Sequence, residues 1–402
     1  MGDSRVFLRV RIGTNRVMDI APAVASINIH DEDRGTDVAT VVMDDHVGIS
    51  TDVIRPEAPI RIEMGWEGEH AVLFLGRVHR IESYARSGEI GRLRFSCRDM
   101  SELLNVRPPT DAREHAGPLN TILGQLATEA HLTLGTVAID PMPTWPDEPG
   151  SRLVQGSRTN WAMIQEIARD YHARAFVEVN SLPGNRDAAA EVASVAQLYF
   201  YSEAAMLAQE PLGKLTLCHG FGSLISFQLT QIGSGAMPSA ETTVVDPATG
   251  EVRTETAPAT ATVPPAAITG SALDQHRAVH GDAAARSAEA GLEVTSSSIV
   301  PRTDAAVPAR TTGLPSDGAM AQRLIQPDPT RTLGQSVTGT AMGTVFLRAK
   351  SSVEVEGHSA TSNGRWYLRR VNHVIEQARS TPTDPAAPLA VKTYRTNFEA
   401  TR

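Results

Sequence analysis

A chain of 402 residues is longer than one hydrophobic core usually organises, so two to four domains are expected. Its net charge of −9 argues against a general nucleic-acid-binding surface. Two cysteines are too few for a disulfide-stapled secreted scaffold, so Cys97 and Cys218 are expected as free buried thiols.

Residues 5–12 alternate, with Val6, Leu8, Val10 and Ile12 on one face and Arg5, Phe7, Arg9 and Arg11 on the other. This is the period of a half-buried strand, and it lacks the apolar run of a signal peptide. Further strands are predicted at 24–30, 38–43, 59–64, 72–82 and 91–98, separated by turn chemistry at Asp31–Gly35 and Gly65–Gly68. Several strands at this spacing predict an antiparallel barrel or sandwich over 1–107.

The period then changes. Leu119, Ile122, Leu123, Leu126, Ala127 and Ala130 follow helical spacing, with Pro118 placed in the first turn. A second helix carries Trp161, Ile164, Ala168 and Tyr171, with Ser157, Thr159 or Asn160 as its N-cap. Strands at 174–179 and 197–202 complete an α+β domain over 108–210.

A second β-domain is predicted from 211–252 plus 341–402. It opens with strands around Leu215 and Ser226, then Thr243–Arg253 as strand, turn and strand, and it resumes at 344–358, 365–377 and 390–402. Between these parts, residues 253–340 are rich in Ala, Pro and Thr, and no Phe, Trp, Tyr or Cys occurs from Gln228 to Val345. Such a segment buries little apolar area against the entropy of ordering it, so an extended or partly disordered insertion is expected, with a short Ala-rich helix within 272–292. No stretch reaches the ~18 apolar residues of a membrane helix, so the chain is expected to be made and kept in a cytoplasm.

Residues 72–82 and 366–376 align without gaps, placing His79 on His373, Ile81 on Ile375 and Glu82 on Glu376. Each is followed by another alternating stretch, through Leu93, Phe95 and Cys97 in one case and Tyr394, Thr396 and Phe398 in the other. Two related β-units in one chain would let three subunits build a pseudo-sixfold ring.

Motifs for chemistry are sparse. Met43-Asp44-Asp45-His46 could hold a metal or transfer a proton, but neighbouring strand side chains point to opposite faces, and a solvated strand end is the better reading. His219-Gly220-Phe221-Gly222 lacks the third glycine of a dinucleotide fingerprint and reads as a turn. His79 and His373 read as structural or interface residues, and Cys97 and Cys218 as packing. Arg5, Arg9 and Arg11 could face a phosphate backbone, but pairing with acids across a subunit interface is preferred. No catalytic, cofactor-binding or metal-ligating residue is assigned, and no cofactor is expected.

The closing segment, Gly364-Arg365-Trp366-Tyr367-Leu368-Arg369-Arg370-Val371-Asn372-His373-Val374-Ile375-Glu376 followed by Tyr394-Arg395-Thr396-Asn397-Phe398-Glu399, resembles the C-terminal signature of phage late control D proteins. These are baseplate hub proteins of contractile tails, related to the hub portion of VgrG spikes and to hubs of injection systems. Gln155–Val179 and Pro118–Ala127 resemble the elements between that family's two barrels, and the order agrees over about 1–250 and 340–402. The insertion is longer than the family pattern. The resemblance implies two tube-like antiparallel β-barrel domains linked by an α+β domain, in a structural, non-enzymatic homotrimer. Such a trimer adapts a sixfold tail tube protein to a threefold spike. The spike is expected as a separate protein, with tape-measure and baseplate wedge proteins as further partners. No membrane is expected in the resting state, and DNA enters only as lumen cargo in a phage. The location implied is a virion tail baseplate or injection particle, assembled in the host or producer cytoplasm.

The competing reading is a tail-associated β-rich enzyme degrading cell-wall polysaccharide. It needs two carboxylates roughly 5–10 Å apart across a cleft, and no such pair can be placed from the sequence. A carbohydrate-binding adhesin would need an exposed aromatic platform.

Overall fold

The structure, a computed structural model, describes residues 5–13, 18–45, 54–87, 91–107, 113–179, 196–217, 222–231, 240–245, 252–257, 307–308, 335–359, 362–377 and 392–401. The fold is mainly β: two curled antiparallel β-units with a smaller α+β part between them in sequence.

The first unit contains β1 (Val6–Ile12), β2 (Val24–Glu32), β3 (Val38–Asp45), β4 (Pro59–Trp66), β5 (Glu69–Tyr84) and β6 (Gly91–Asp99). Alternation places their inward residues: Ile60, Ile62 and Met64 from β4 and Leu93, Phe95 and Cys97 from β6 are buried in one core. Trp66 pairs with Glu69, so Glu67 and Gly68 form a two-residue hairpin turn, with Gly68 at φ +94°. In β2 a bulge between Val24 and Ser26 changes the simple alternation. Val24 is buried together with Ile27 and Ile29, three and five residues on, because the extra residue turns the chain over once.

The α+β part has α1 (Leu119–Glu129), β7 (Thr133–Ala138), α2 (Asn160–Asp170), β8 (Ala173–Val179), β9 (Ala196–Ser202) and α3 (Glu203–Ala208). Pro118 is the N-cap of α1 rather than part of its first turn, in an extended conformation that its ring favours. The Thr159 hydroxyl caps α2 by accepting from the Ala162 amide, a contact typically worth ~1 kcal/mol. Strand β7, parallel to β9, and helix α3 are additions to the sequence reading.

The second unit contains β10 (Lys214–Thr216), β11 (Leu224–Gln231), β12 (Gln335–Met342), β13 (Ser351–Glu356), β14 (Gly364–Gln377) and β15 (Lys392–Thr401). Strand β12 starts within the expected insertion. Residues 344–350, expected as strand, form turns instead. Near the insertion, Ala240–Val245 pairs with Val252–Ala257, and Val307–Pro308 adds to the same small sheet. The Ala-rich helix expected within 272–292 lies outside the described residues.

Pairing order exposes a duplication. The first unit runs β1-β4-β5-β6-β3-β2 and the second β10-β13-β14-β15-β12-β11, the same order by position in the chain. Registers agree as well. One row across the first unit is Ile27, Val41, Phe95 and Ile81; its counterpart is Phe227, Gly339, Phe398 and Val371. The next row pairs Ile29, Ala39, Cys97 and Val78 with Leu229, Val337, Ala400 and Leu368. Both bulges recur, between Val24 and Ser26 as between Leu224 and Ser226, and between Val78 and Arg80 as between Leu368 and Arg370. One difference is that β1 lies antiparallel to β4, whereas β10 lies parallel to β13.

These registers correct the ungapped alignment. They match β5 with β14 and β6 with β15, as expected, but Ile81 with Val371 rather than Ile375, a slip of four residues. An even slip leaves every side chain on its own face, so hydrophobic alternation cannot detect it.

The units are joined into one sheet where β2 pairs with β14, from Arg370 opposite Glu32 to Glu376 opposite Ser26. Three apolar cores result. One fills the first unit and takes in Val345, Ile375 and Tyr394 from the far end of the chain; one lies in the α+β part; one fills the second unit around Trp366 and Phe398.

Candidate functional site

The most unusual chemistry lies where the three cores meet. Asp31 ends the inward row of β2, and Asp37 lies just before β3. Glu178 comes from β8, and Arg348 and Lys350 from the turns before β13. Lys350 Nζ is 2.7 Å from Asp31 Oδ1, 3.2 Å from both Asp37 carboxylate oxygens and 3.0 Å from Glu178 Oε1. Arg348 Nε donates to Asp31 Oδ2 at 3.1 Å, and the Ala349 amide donates to the same oxygen at 3.1 Å. Lys350 also stands 5.3 Å from the centre of the Phe176 ring.

The three carboxylates alone have the spacing of a cation site. The lysine ammonium sits among them and supplies the positive charge a metal would bring. Lys350 holds φ at +65°, a left-handed conformation uncommon for a side chain of its size. Its four contacts to acids explain why the backbone stays there.

Burial sets the electrostatics. It opposes ionisation of Asp31, but Lys350 and Arg348 outweigh it and hold that carboxyl well below the usual range. Burial and the Asp31 charge raise Asp37 well above it, against the pull of Lys350. Burial lifts Asp99 to about 6, although its oxygens accept from the Ser101 and Asp37 amides. Lys350 stays protonated because its acidic partners overcome its own burial. A second group adjoins the first: Arg174 of β8 bridges Asp33 at 3.7 Å and also contacts Glu203 of α3. The arrangement is a buried ionic clasp between all three parts of the chain.

The residues singled out from sequence are scattered. Asp44 pairs with Arg92 across β3 and β6 at 3.7 Å, and His46 lies outside the described residues. Cys218, His219, Gly220 and Phe221 also lie outside them, and Gly222 precedes β11. Cys97 is buried in the first core, where burial pushes its thiol far up. Arg9 pairs with Glu63 of the adjacent strand at 3.6 Å, within the chain. It also covers Phe7, which stacks on His70.

His79 and His373 differ completely. His79 sits exposed at the β5 bulge. His373 is buried; its Nε2–H donates to the Leu347 carbonyl at 2.9 Å, and its Nδ1 accepts from the Tyr394 hydroxyl at 2.8 Å. Burial and nearby Arg348 depress its pKa to about 3, so it is neutral and structural.

A shallow groove of about 420 Å³ crosses the junction of the two units; its lining is mixed, with His30, Gln228, Arg370 and Asn372 beside Phe227 and Phe398. Among the described residues, no helix is long and apolar enough to cross a membrane.

Sequence reasoning missed the clasp because Asp31–Asp37 reads as an ordinary solvated turn. The one local signal was Arg348 placed between Leu347 and Ala349, with Lys350 directly after, which sets two charges beside apolar residues.

No family model matches the chain, and no curated protein matches it in sequence. Solved structures do match in fold. A tail protein from Neisseria meningitidis MC58 is 11% identical at a TM-score of 0.58, with 99% of this chain and 97% of that one covered. The 43 kDa tail protein of prophage MuSo2 from Shewanella oneidensis is 9% identical at 0.59, with 98% of each covered. A chain of the Francisella PdpA-VgrG complex is 10% identical at 0.56; all of this chain aligns, on 58% of that one. The fold is therefore shared with phage tail and VgrG-type proteins over nearly the whole chain.

Proposed function

We propose that the protein is a structural baseplate hub of a contractile phage tail or tail-like injection system. It acts as a homotrimer that adapts a sixfold tail tube to a threefold central spike, and its activity is assembly rather than catalysis. The observation that carries this reading is the duplicated six-strand unit, with shared strand order, shared registers and shared bulges. Two equivalent units per chain give six per trimer, the number a sixfold tube requires. Likeness in fold to tail proteins and to a VgrG chain supports the same reading. The proposed division is a first tube-like domain at 1–107, a connecting domain at 108–210, and a second tube-like domain at 211–252 plus 341–402 that β12 extends back to Gln335, with the insertion between its two parts. Partners are the tail tube and spike proteins, in a tail baseplate or injection particle.

Native mass by light scattering tests the proposal, with and without a candidate spike protein. Three copies of the 43.1 kDa chain give about 129 kDa. A stable dimer, or a monomer that stays monomeric with the spike present, would rule it out.

A further inference from the structure

The charges in the clasp do not balance. Lys350 and Arg348 bring two positive charges, whereas Asp31, Asp37, Asp99 and Glu178 bring four carboxyl groups to the same junction. Distances show which acids are covered. The ammonium has three protons to give. Its shorter contacts go to Asp31 at 2.7 Å and Glu178 at 3.0 Å, and Asp37 takes what remains, split between two oxygens at 3.2 Å each. Arg348 adds to the same two acids, Asp31 at 3.1 Å and Glu178 at 3.7 Å. Asp37 is therefore the least covered acid in contact with the cations. Its neighbour Asp99 accepts from the backbone amides of Ser101 and Asp37, at 2.8 Å each.

The surroundings of Asp37 come from every part of the chain. Strand β2 presents the Asp31 carboxylate and the Glu32 amide, which donates to Asp37 Oδ1 at 3.1 Å. The end of β6 presents Asp99, β8 presents Glu178, and the turns before β13 present Arg348 and Lys350. His373 of β14 lies near Arg348 and Asp31, and burial keeps it neutral above pH about 3. A cavity of about 10 Å³ touches Asp37, Asp99, Glu178 and Arg348, closed on other sides by Val72, Leu73, Phe74 and Ala196. That is about the space of one water molecule, so a proton has a carrier beside both surplus acids.

We propose that the clasp is a proton-operated lock: Asp37 takes up a proton as the pH falls, and the three parts of the chain then hold together more firmly. The proton removes a surplus buried charge, while Asp37 Oδ1 keeps its bond from the Glu32 amide. The direction follows from linkage. Burial and the Asp31 charge raise Asp37 in the folded chain, and Asp99 is raised to about 6. A group raised in this way adds stability that is complete below its unfolded value, near 3.9, and is lost as pH rises through its folded value. Asp31, held low, stays ionised throughout that window. His373 works the other way, but only below its unfolded value near 6.5. The lock is thus closed at neutral pH and loosens on the alkaline side. It stands or falls independently of the hub reading.

Two measurements on the full-length chain test it. Infrared spectra in heavy water should show the carbonyl stretch of a protonated carboxyl at pH 7.5, fading toward alkaline pH, and Asp37→Asn should remove it. Hydrogen exchange, corrected for its intrinsic pH dependence, reads how often the Asp37 and Ala349 amides open; these donate to Asp99 and Asp31. Between pH 7 and 9 opening should increase in the parent protein, by up to about tenfold per pH unit for each proton lost. In Asp37→Asn, a neutral isostere, the increase should largely vanish. A parent spectrum without the band at pH 7.5, or corrected exchange that is flat with pH, would overturn the proposal, whether or not the variant folds. A band that persists in Asp37→Asn would overturn Asp37 as the seat of the proton.

Discussion

Lys350 and Asp31 stand 319 positions apart in the chain and 2.7 Å apart in space. That contact, with Asp37 and Glu178 around the same ammonium, ties both β-units to the α+β part. A buried charge group of this kind is weak evidence for net stability, because desolvation offsets much of the attraction. Removing one member is another matter, since the others are left buried without compensation.

Replacing Lys350 with Met should therefore cost on the order of 3–5 kcal/mol at neutral pH. The loss should shrink on acidification. Without the ammonium, the folded-state pKa of Asp31 rises and that of Asp37, already raised, rises further, so the folded form takes up more protons as pH falls and gains stability relative to the parent. Urea unfolding at pH 8 and pH 5 checks this; a gap to the parent protein that is the same at both values would contradict it.

His373 sets the opposite trend in the parent protein. Its folded pKa of about 3 lies below the ordinary 6.5. Between those values the unfolded chain binds a proton that the folded chain refuses, so this residue lowers stability by up to about 1.4 kcal/mol per pH unit as pH falls. His373→Gln should cost ~1–3 kcal/mol at pH 7.5 through lost hydrogen bonds. Its deficit should narrow by pH 5, as read from denaturation midpoints, and a widening deficit would refute the assignment.

Two glycines should answer the same substitution with opposite signs. A Cβ on Gly343 would fall 2.0 Å from Cδ1 of Tyr394, a ring held by its hydroxyl bond to His373. Gly343→Ala should destabilise by about 1–3 kcal/mol through overpacking. In α1, a Cβ on Gly124 would meet only Leu134, at 3.6 Å. Gly124→Ala should stabilise by roughly 0.5–1 kcal/mol through helix propensity. Melting temperatures of the two variants decide the matter.

Cys97 should resist alkylation in the folded protein. It is fully buried between Ala39 and Val78 in the first core, and burial suppresses its thiolate. Iodoacetamide labelling of the peptide containing Cys97, followed by mass spectrometry, should switch on only across the unfolding transition. Ready labelling under native conditions would place that residue outside the core.

Much of this fold was legible because its strands obey one simple period. Ile60, Ile62 and Met64, or Leu93, Phe95 and Cys97, announce a buried face without reference to anything else in the chain. The two helices were legible for the same reason, at a different period. Register was not, because the slip separating Ile81–Ile375 from Ile81–Val371 is even and leaves inside and outside unchanged. The clasp was not legible either. Asp31, Asp33 and Asp37 carry the composition of a surface turn, and only the fold brings Arg348 and Lys350 to them. His79 and His373 show the converse failure: a local match of letters joined an exposed side chain to a buried one.

The β2·β14 pairing has a consequence for synthesis. Strand β2 leaves the ribosome early, yet the edge it needs is made of residues 370–376. Until those emerge, the first unit carries an open strand edge and lacks Ile375 and Tyr394 from its core. Long-range pairing of this kind folds slowly, and an unpaired edge is a site of misassembly. A nascent or truncated chain is thus barred from presenting a finished first unit. Emergence of residues 370–394 becomes the checkpoint for closing the first unit.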